Sequence, residues 1–167
     1  MIRRAKALDV PRIAEIHVAS WQVAYRGLVT DAFLDSLDLA KRERVWRDIL
    51  TETSNPVFVA ESADSVVGFC NVAPCRDEDL SEAAEITAIY LDPDHWRRGI
   101  GGRLCSRAFE FAANQGFSVI SLWVLMENER ARRFYESLGF RDQGGRKQED
   151  RGDLVMNEMR YLRELPV

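Results

Sequence analysis

The spacing of apolar residues changes period along the chain, and the changes mark out its elements. Ile2 to Lys6 reads as a short strand. Asp9, placed as an N-cap with Pro11 just inside, then opens a helical spacing through Ile13, Ile16, His17, Trp21 and Ala24 that stops near Gly27. Thr30-Asp31 restarts it, and Leu34, Leu37, Leu39, Val45, Trp46 and Leu50 predict two short helices ending before Asn55-Pro56. From Val57 the period is that of strands. Val57 to Glu61 and Val66 to Val72 are rich in β-branched and aromatic residues, and Ser62 to Ser65 between them predicts a hairpin with a four-residue loop. Glu85 to Leu91 is the next strand, closed by Asp92-Pro93-Asp94.

Helical spacing returns over Gly101 to Asn114, with Leu104, Cys105, Ala108, Phe111 and Ala112 inward and Gly116 as the stop. Val119 to Val124 is a buried strand. Asn128 caps a helix whose stripe is Ala131, Phe134, Tyr135 and Leu138, with Gly139 beyond its end. Phe140 to Lys147 and Asp153 to Leu162 complete the pattern as a hairpin turning through Glu149 to Gly152. With the two short helices counted together, the order β-αα-βββ-α-β-α-ββ implies a mixed α/β sheet with helices on both faces. A length of 167 residues predicts one domain spanning 1–167.

Composition removes whole classes. With 46% hydrophobic and 30% charged residues the chain is neither disordered nor fibrous. No apolar run approaches the roughly 20 residues a membrane span needs, and Arg3 and Arg4 have no apolar stretch behind them, so we expect a cytoplasmic protein with no membrane partner. Cys70, Cys75 and Cys105 are odd in number and lack ligand spacing, and the histidines are His17 and His95, so neither a disulfide nor a metal site is expected. The net charge of −4 argues against a nucleic-acid partner. Yet from Arg97 to Arg133 seven arginines stand against three glutamates, a basic island of +4 in an otherwise acidic chain. It is either a solvated helix face or a site for a small polyanion.

The segment Trp96-Arg97-Arg98-Gly99-Ile100-Gly101-Gly102 bears on that choice, because it joins a strand directly to a helix. Glycines there admit a ligand close to the backbone, and N–H groups at a helix start favour phosphate oxygens. No Gly-Lys-Ser/Thr follows, which excludes a P-loop, and Leu104 stands where a Rossmann fingerprint needs glycine.

Glu85-Ile86-Thr87-Ala88-Ile89-Tyr90-Leu91-Asp92-Pro93 through Arg97 to Gly102, followed by Asn128-Glu129-Arg130-Ala131-Arg132-Arg133-Phe134-Tyr135-Glu136-Ser137-Leu138-Gly139-Phe140, resembles the two signature segments of the GNAT superfamily of N-acetyltransferases. The resemblance runs from Ile2 to about Tyr161, with one departure: Trp96 stands where the family's cofactor motif has Gln or Arg. It implies a mostly antiparallel sheet of about seven strands, splayed between the fourth and fifth. It also implies transfer of an acetyl group from acetyl-CoA to a primary amine by direct attack, without an acetyl-enzyme. By the same resemblance Ile89, Tyr90 and Leu91 line the pantetheine arm, Arg97, Arg98, Gly99, Ile100, Gly101 and Gly102 hold the pyrophosphate, and Asn128, Ala131 and Phe134 complete the cofactor site.

An alkylammonium with a pKa near 10.4 must lose a proton before it can attack, and the leaving thiolate gains from a proton donor. The resemblance assigns the first task to Glu85 and the second to Tyr135, against readings of each as a strand or core residue. Trp21, Tyr25 and Arg26 are its candidates for the acceptor pocket, and Asp77, Glu78, Asp79 and Glu82 form an acidic run that is either an attractor of a cationic amine or a solvated loop. A small-molecule amine is the expected acceptor. A protein or peptide acceptor, and a sensor that binds acyl-CoA without turnover, are the alternatives, and a homodimer is allowed for.

Overall fold

The computed structural model describes residues 1–151 and 154–166. Its strands are β1 (Ile2–Arg4), β2 (Val57–Ser62), β3 (Ser65–Pro74), β4 (Ala84–Leu91), β5 (Val119–Leu125), β6 (Arg141–Arg151) and β7 (Leu154–Glu164), and its helices α1 (Val10–Ala24), α2 (Asp31–Asp35), α3 (Leu39–Thr51), α4 (Ile100–Asn114) and α5 (Glu129–Ser137). The seven strands form one sheet in the order β1-β2-β3-β4-β5-β7-β6. Every pairing is antiparallel except β4 with β5.

The parallel pair is where the sheet opens. β4 and β5 meet only at Ala84↔Ile120 and Glu85↔Ser121, and from there to Leu91 the edge of β4 that faces β5 is unpaired. On its other edge β4 pairs with β3 through Leu91, but Thr87 is skipped between the pairs Asn71↔Ala88 and Val72↔Ile86. This bulge resets the alternation. Ala84 and Ile86 before it, and Ile89 and Leu91 after it, pack into the core under α4 with Leu104, Cys105, Leu122 and Tyr161. Ala88 and Tyr90 turn to the opposite face, where Ile13 and Ile16 of α1 and Trp46 of α3 pack on the sheet against Phe69 of β3.

Local signals explain most boundaries. Asn128 Oδ1 accepts from Ala131 N at 3.2 Å and starts α5, and Gly116 and Gly139 follow α4 and α5 with φ of 91° each. Three expectations change. The loop between β2 and β3 is two residues, not four, because Ser62 pairs with Ser65 across Ala63 and Asp64, both with positive φ. Asp9 precedes α1 without capping it, since its carboxylate accepts from Lys6 N at 2.7 Å and from Arg3 at 2.8 and 3.0 Å. The last strands run longer, Arg151 pairing with Leu154, while the expected turn residue Gly152 and strand residue Asp153 lie outside the described residues. Among the described residues no helix is long and apolar enough to cross a membrane, and no three His, Cys, Asp or Glu side chains are grouped to hold a metal ion.

Candidate active site

Where β4 and β5 part, a groove of about 760 Å³ runs beside the exposed edge of β4. Its walls are Ile89, Tyr90 and Leu91 from β4, Arg97, Gly99, Ile100, Gly101 and Gly102 from the turn into α4, and Asn128, Arg130, Ala131, Phe134 and Tyr135 at α5. Gly99 takes φ of 74° and serves as the N-cap of α4, a left-handed conformation that glycine adopts without strain. Gly101 is required by packing as well, because a Cβ there would sit 2.9 Å from Phe134 Cζ. The start of α4 is thus held against α5 with its N–H groups near the groove.

The basic island divides. Arg97 and Arg130 line the groove, and the Arg130 guanidinium stacks 3.7 Å from the centre of the Trp96 ring. Trp96 Nε1 donates to Leu91 O at 3.1 Å, so the residue that departs from the family motif pins the end of β4 and supports a groove arginine. Arg98 lies outside the groove. Arg107 pairs with Glu110 and Arg133 with Glu129 along their own helices, and Arg132 donates to Tyr161 Oη and Met126 O. Of the island, Arg97 and Arg130 line the groove, Arg98 and Arg103 are exposed, and Arg107, Arg132 and Arg133 are held by protein partners.

A second cavity, of about 550 Å³, lies on the α1 and α3 side of the sheet. Tyr25, Ile86, Thr87, Ala88, Tyr90 and Trp123 belong to both spaces, so the two meet across β4. Of the candidates for the acceptor pocket, Trp21 and Tyr25 line the second cavity, whereas Arg26 lies in neither, drawn 3.2 Å from Asp31 and 3.5 Å from Asp35. Of the acidic run, Asp77 lines the cavity but accepts from Trp123 Nε1 at 2.9 Å and Arg160 at 3.1 Å. Asp79 is likewise held by Arg160 at 2.6 Å.

Glu85 opens into the second cavity, and its carboxylate accepts from Arg76 Nη2 at 2.8 Å, Arg76 Nε at 3.3 Å and Arg76 N at 3.2 Å. Tyr135 faces the groove with its ring 5.2 Å from Phe134 and 5.8 Å from Phe140, and among the described residues its hydroxyl makes no hydrogen bond. Burial pushes that phenol well above its ordinary pKa, so it holds its proton at neutral pH. Cys70 and Cys105 are buried and Cys75 half-buried, and none lines either cavity. Burial raises all three thiols, Cys105 to about 12.

Among the cavity residues that escaped the sequence reading are Arg42, on the apolar stripe of α3 between Leu39 and Val45-Trp46, and Glu158, which continues the inward-facing series Leu154, Met156 of β7. A charged residue in register with an apolar stripe was the available signal.

A splayed parallel pair, a glycine-rich helix start and two arginines beside one groove are the features that the resemblance assigns to the cofactor site of an acyl-CoA-dependent transferase, and a second cavity adjoins that groove. A family model for the acetyltransferase (GNAT) family matches residues 3–140, and the chain belongs to that family of acetyl-CoA-dependent N-acetyltransferases. It is 34% identical over 128 residues to the uncharacterized N-acetyltransferase YuaI of Bacillus subtilis, covering 76% of this chain and 72% of that one. It is 29% identical over 140 residues to the L-amino acid N-acyltransferase MnaT of Escherichia coli, covering 83% and 78%. The fold matches the PaiA N-acetyltransferase of Thermoplasma acidophilum, solved in complex with coenzyme A, with a TM-score of 0.75 at 21% identity over 98% of each chain.

Proposed function

We propose that this enzyme transfers the acetyl group of acetyl-CoA to the primary amine of a small molecule by direct attack. The observation that carries the reading is the meeting of two cavities across β4 at Tyr25, Ala88, Tyr90 and Trp123, which lets cofactor and acceptor approach one point from opposite faces of the sheet. A cavity of about 550 Å³ is the size of small-molecule sites. The similarity to an L-amino acid N-acyltransferase supports the same kind of acceptor. Direct attack is supported by the cysteines, whose thiols burial keeps protonated and none of which lines either cavity.

Bound acetyl-CoA supplies the thioester. Ile89 offers its backbone groups, and Leu91 its N–H, to the pantetheine arm on the free edge of β4, the Leu91 carbonyl being engaged by Trp96. Arg97, Arg130 and the start of α4 neutralise the phosphates. Tyr135 Oη, unpartnered and protonated, gives its proton to the departing sulfur. Glu85 takes the proton released by the amine through water, and Arg76 fixes the orientation of its carboxylate.

Thermal unfolding with CoA and thiol release with added amines test the reading. CoA at a hundredfold excess over Kd stabilises the protein by about 2.7 kcal/mol, and acetyl-CoA plus a primary amine releases free thiol. Stabilisation without thiol release from any amine marks an acyl-CoA sensor, and the absence of stabilisation removes the groove assignment.

A further inference from the structure

The charged groups lining the acceptor cavity are equal in number, but their pairing leaves one cation without a partner. Of its cations, Arg76 is held by Glu85 at 2.8 Å, Arg151 by Glu149 at 3.0 Å, and Lys147 Nζ lies 3.5 Å from Glu158 Oε2. Asp77, the remaining acid, is taken by Arg160 at 3.1 Å. Arg42 lines the cavity, is half-buried, and has no ion-pair or hydrogen-bond partner among the described residues. A partly desolvated guanidinium without a counter-charge is costly unless a ligand supplies one. Its charge reaches the cavity interior, where with Arg151 it opposes protonation of His17 and favours ionisation of Tyr90.

Glu158 is the complementary group. Its Oε2 is buried and makes no hydrogen bond. The carboxylate also bears on Tyr25 and Tyr90, the two tyrosines shared with the cofactor groove. The cavity therefore has a buried carboxylate oxygen that accepts no hydrogen bond and meets only the Lys147 ammonium, 3.5 Å away, and a cation without a counter-charge on the α3 wall. We infer that the acceptor is a small amine bearing its own anionic group, its amine received by Glu158 beside the cofactor groove and its anion by Arg42. This rests on the acetyltransferase reading and narrows it, because a polyamine would meet the uncompensated charge of Arg42 with a second cation.

The test compares free L-amino acids with their own carboxamides, alongside spermidine and a lysine-containing peptide. Thiol release from acetyl-CoA gives the rates, and calorimetric titration into the CoA-loaded protein gives the affinities. The best acid exceeds its amide at least about tenfold in both kcat/KM and affinity, the effect of one charge-assisted contact. Arg42→Gln erases that preference and Arg42→Lys restores part of it. CoA still stabilises both variants, which shows that they are folded. Glu158→Gln weakens acid and amide alike, because the amine is common to both. The inference is overturned, and the transferase reading kept, if spermidine, the peptide or an amide is the best acceptor, or if Arg42→Gln leaves the acid-to-amide ratio unchanged. Thiol release from no amine at all overturns both.

Discussion

Replacing Tyr135 by Phe separates the hydroxyl from the ring. The ring packs with Phe134 and Phe140 at 5.2 and 5.8 Å and belongs to the core under α4, and Phe keeps all of that. A buried phenol that made a hydrogen bond would lose about 1 kcal/mol on the change. Here the hydroxyl has no partner among the described residues and faces the groove, so the expected loss is near zero, within the roughly ±0.5 kcal/mol of a neutral substitution. For a chain of this size 1 kcal/mol moves Tm by about 2–4 °C, so the variant should melt within about 2 °C of the wild type. CoA affinity should be retained. The rate should not, because a proton donor to the leaving sulfur contributes about 10² to 10⁴-fold. Single-turnover thiol release with a saturating amine isolates the chemical step and should fall at least about a hundredfold. A wild-type single-turnover rate would refute the assignment and make Tyr135 a core residue. A large loss of stability would refute the premise that its hydroxyl is unpartnered.

Glu85→Gln should lower kcat/KM at neutral pH and move the rise of activity toward the amine's own pKa. Arg76, 67% exposed, remains solvated, and an unchanged pH profile would leave Glu85 a structural partner of Arg76. Gly101→Val should destabilise by about 1–3 kcal/mol and weaken CoA together, because the added atoms meet Phe134 where a Cβ alone would sit 2.9 Å away; denaturant melts and CoA titration read both effects. His17 is held neutral by burial, with its pKa lowered to about 3 from 6.5, and its Nδ1 accepts from Trp46 Nε1 at 3.0 Å. A base depressed in the fold protonates preferentially in the unfolded chain. Its contribution is therefore complete above pH 6.5 and lost progressively as pH falls toward 3, and His17→Gln should flatten denaturant stability against pH in that window.

The sequence by itself determined the elements and the family motifs. Period, caps and glycine stops act within one or two turns, so Asn128 capping Ala131 N, the stripe Ala131, Phe134, Tyr135 and Leu138, and the strand Glu85 to Leu91 were legible before any contact was known. The glycine-rich turn was legible too, but its reason was only half seen: Gly101 answers to Phe134 across the helix pair as well as to the groove. Tertiary structure decided which charges are free. Arg160 reaches back over 83 and 81 residues to claim Asp77 and Asp79, Asp31 and Asp35 draw Arg26 away from the site, and Arg76 takes Glu85. The skipped residue Thr87 turns Tyr90 toward the acceptor cavity. Local periodicity follows from which face of an element is buried, and neighbouring residues encode it. The partner of a charge, and the cavity left when two strands part, depend on groups brought together by the whole sheet, so Arg42 and Glu158 show their meaning only in the assembled fold.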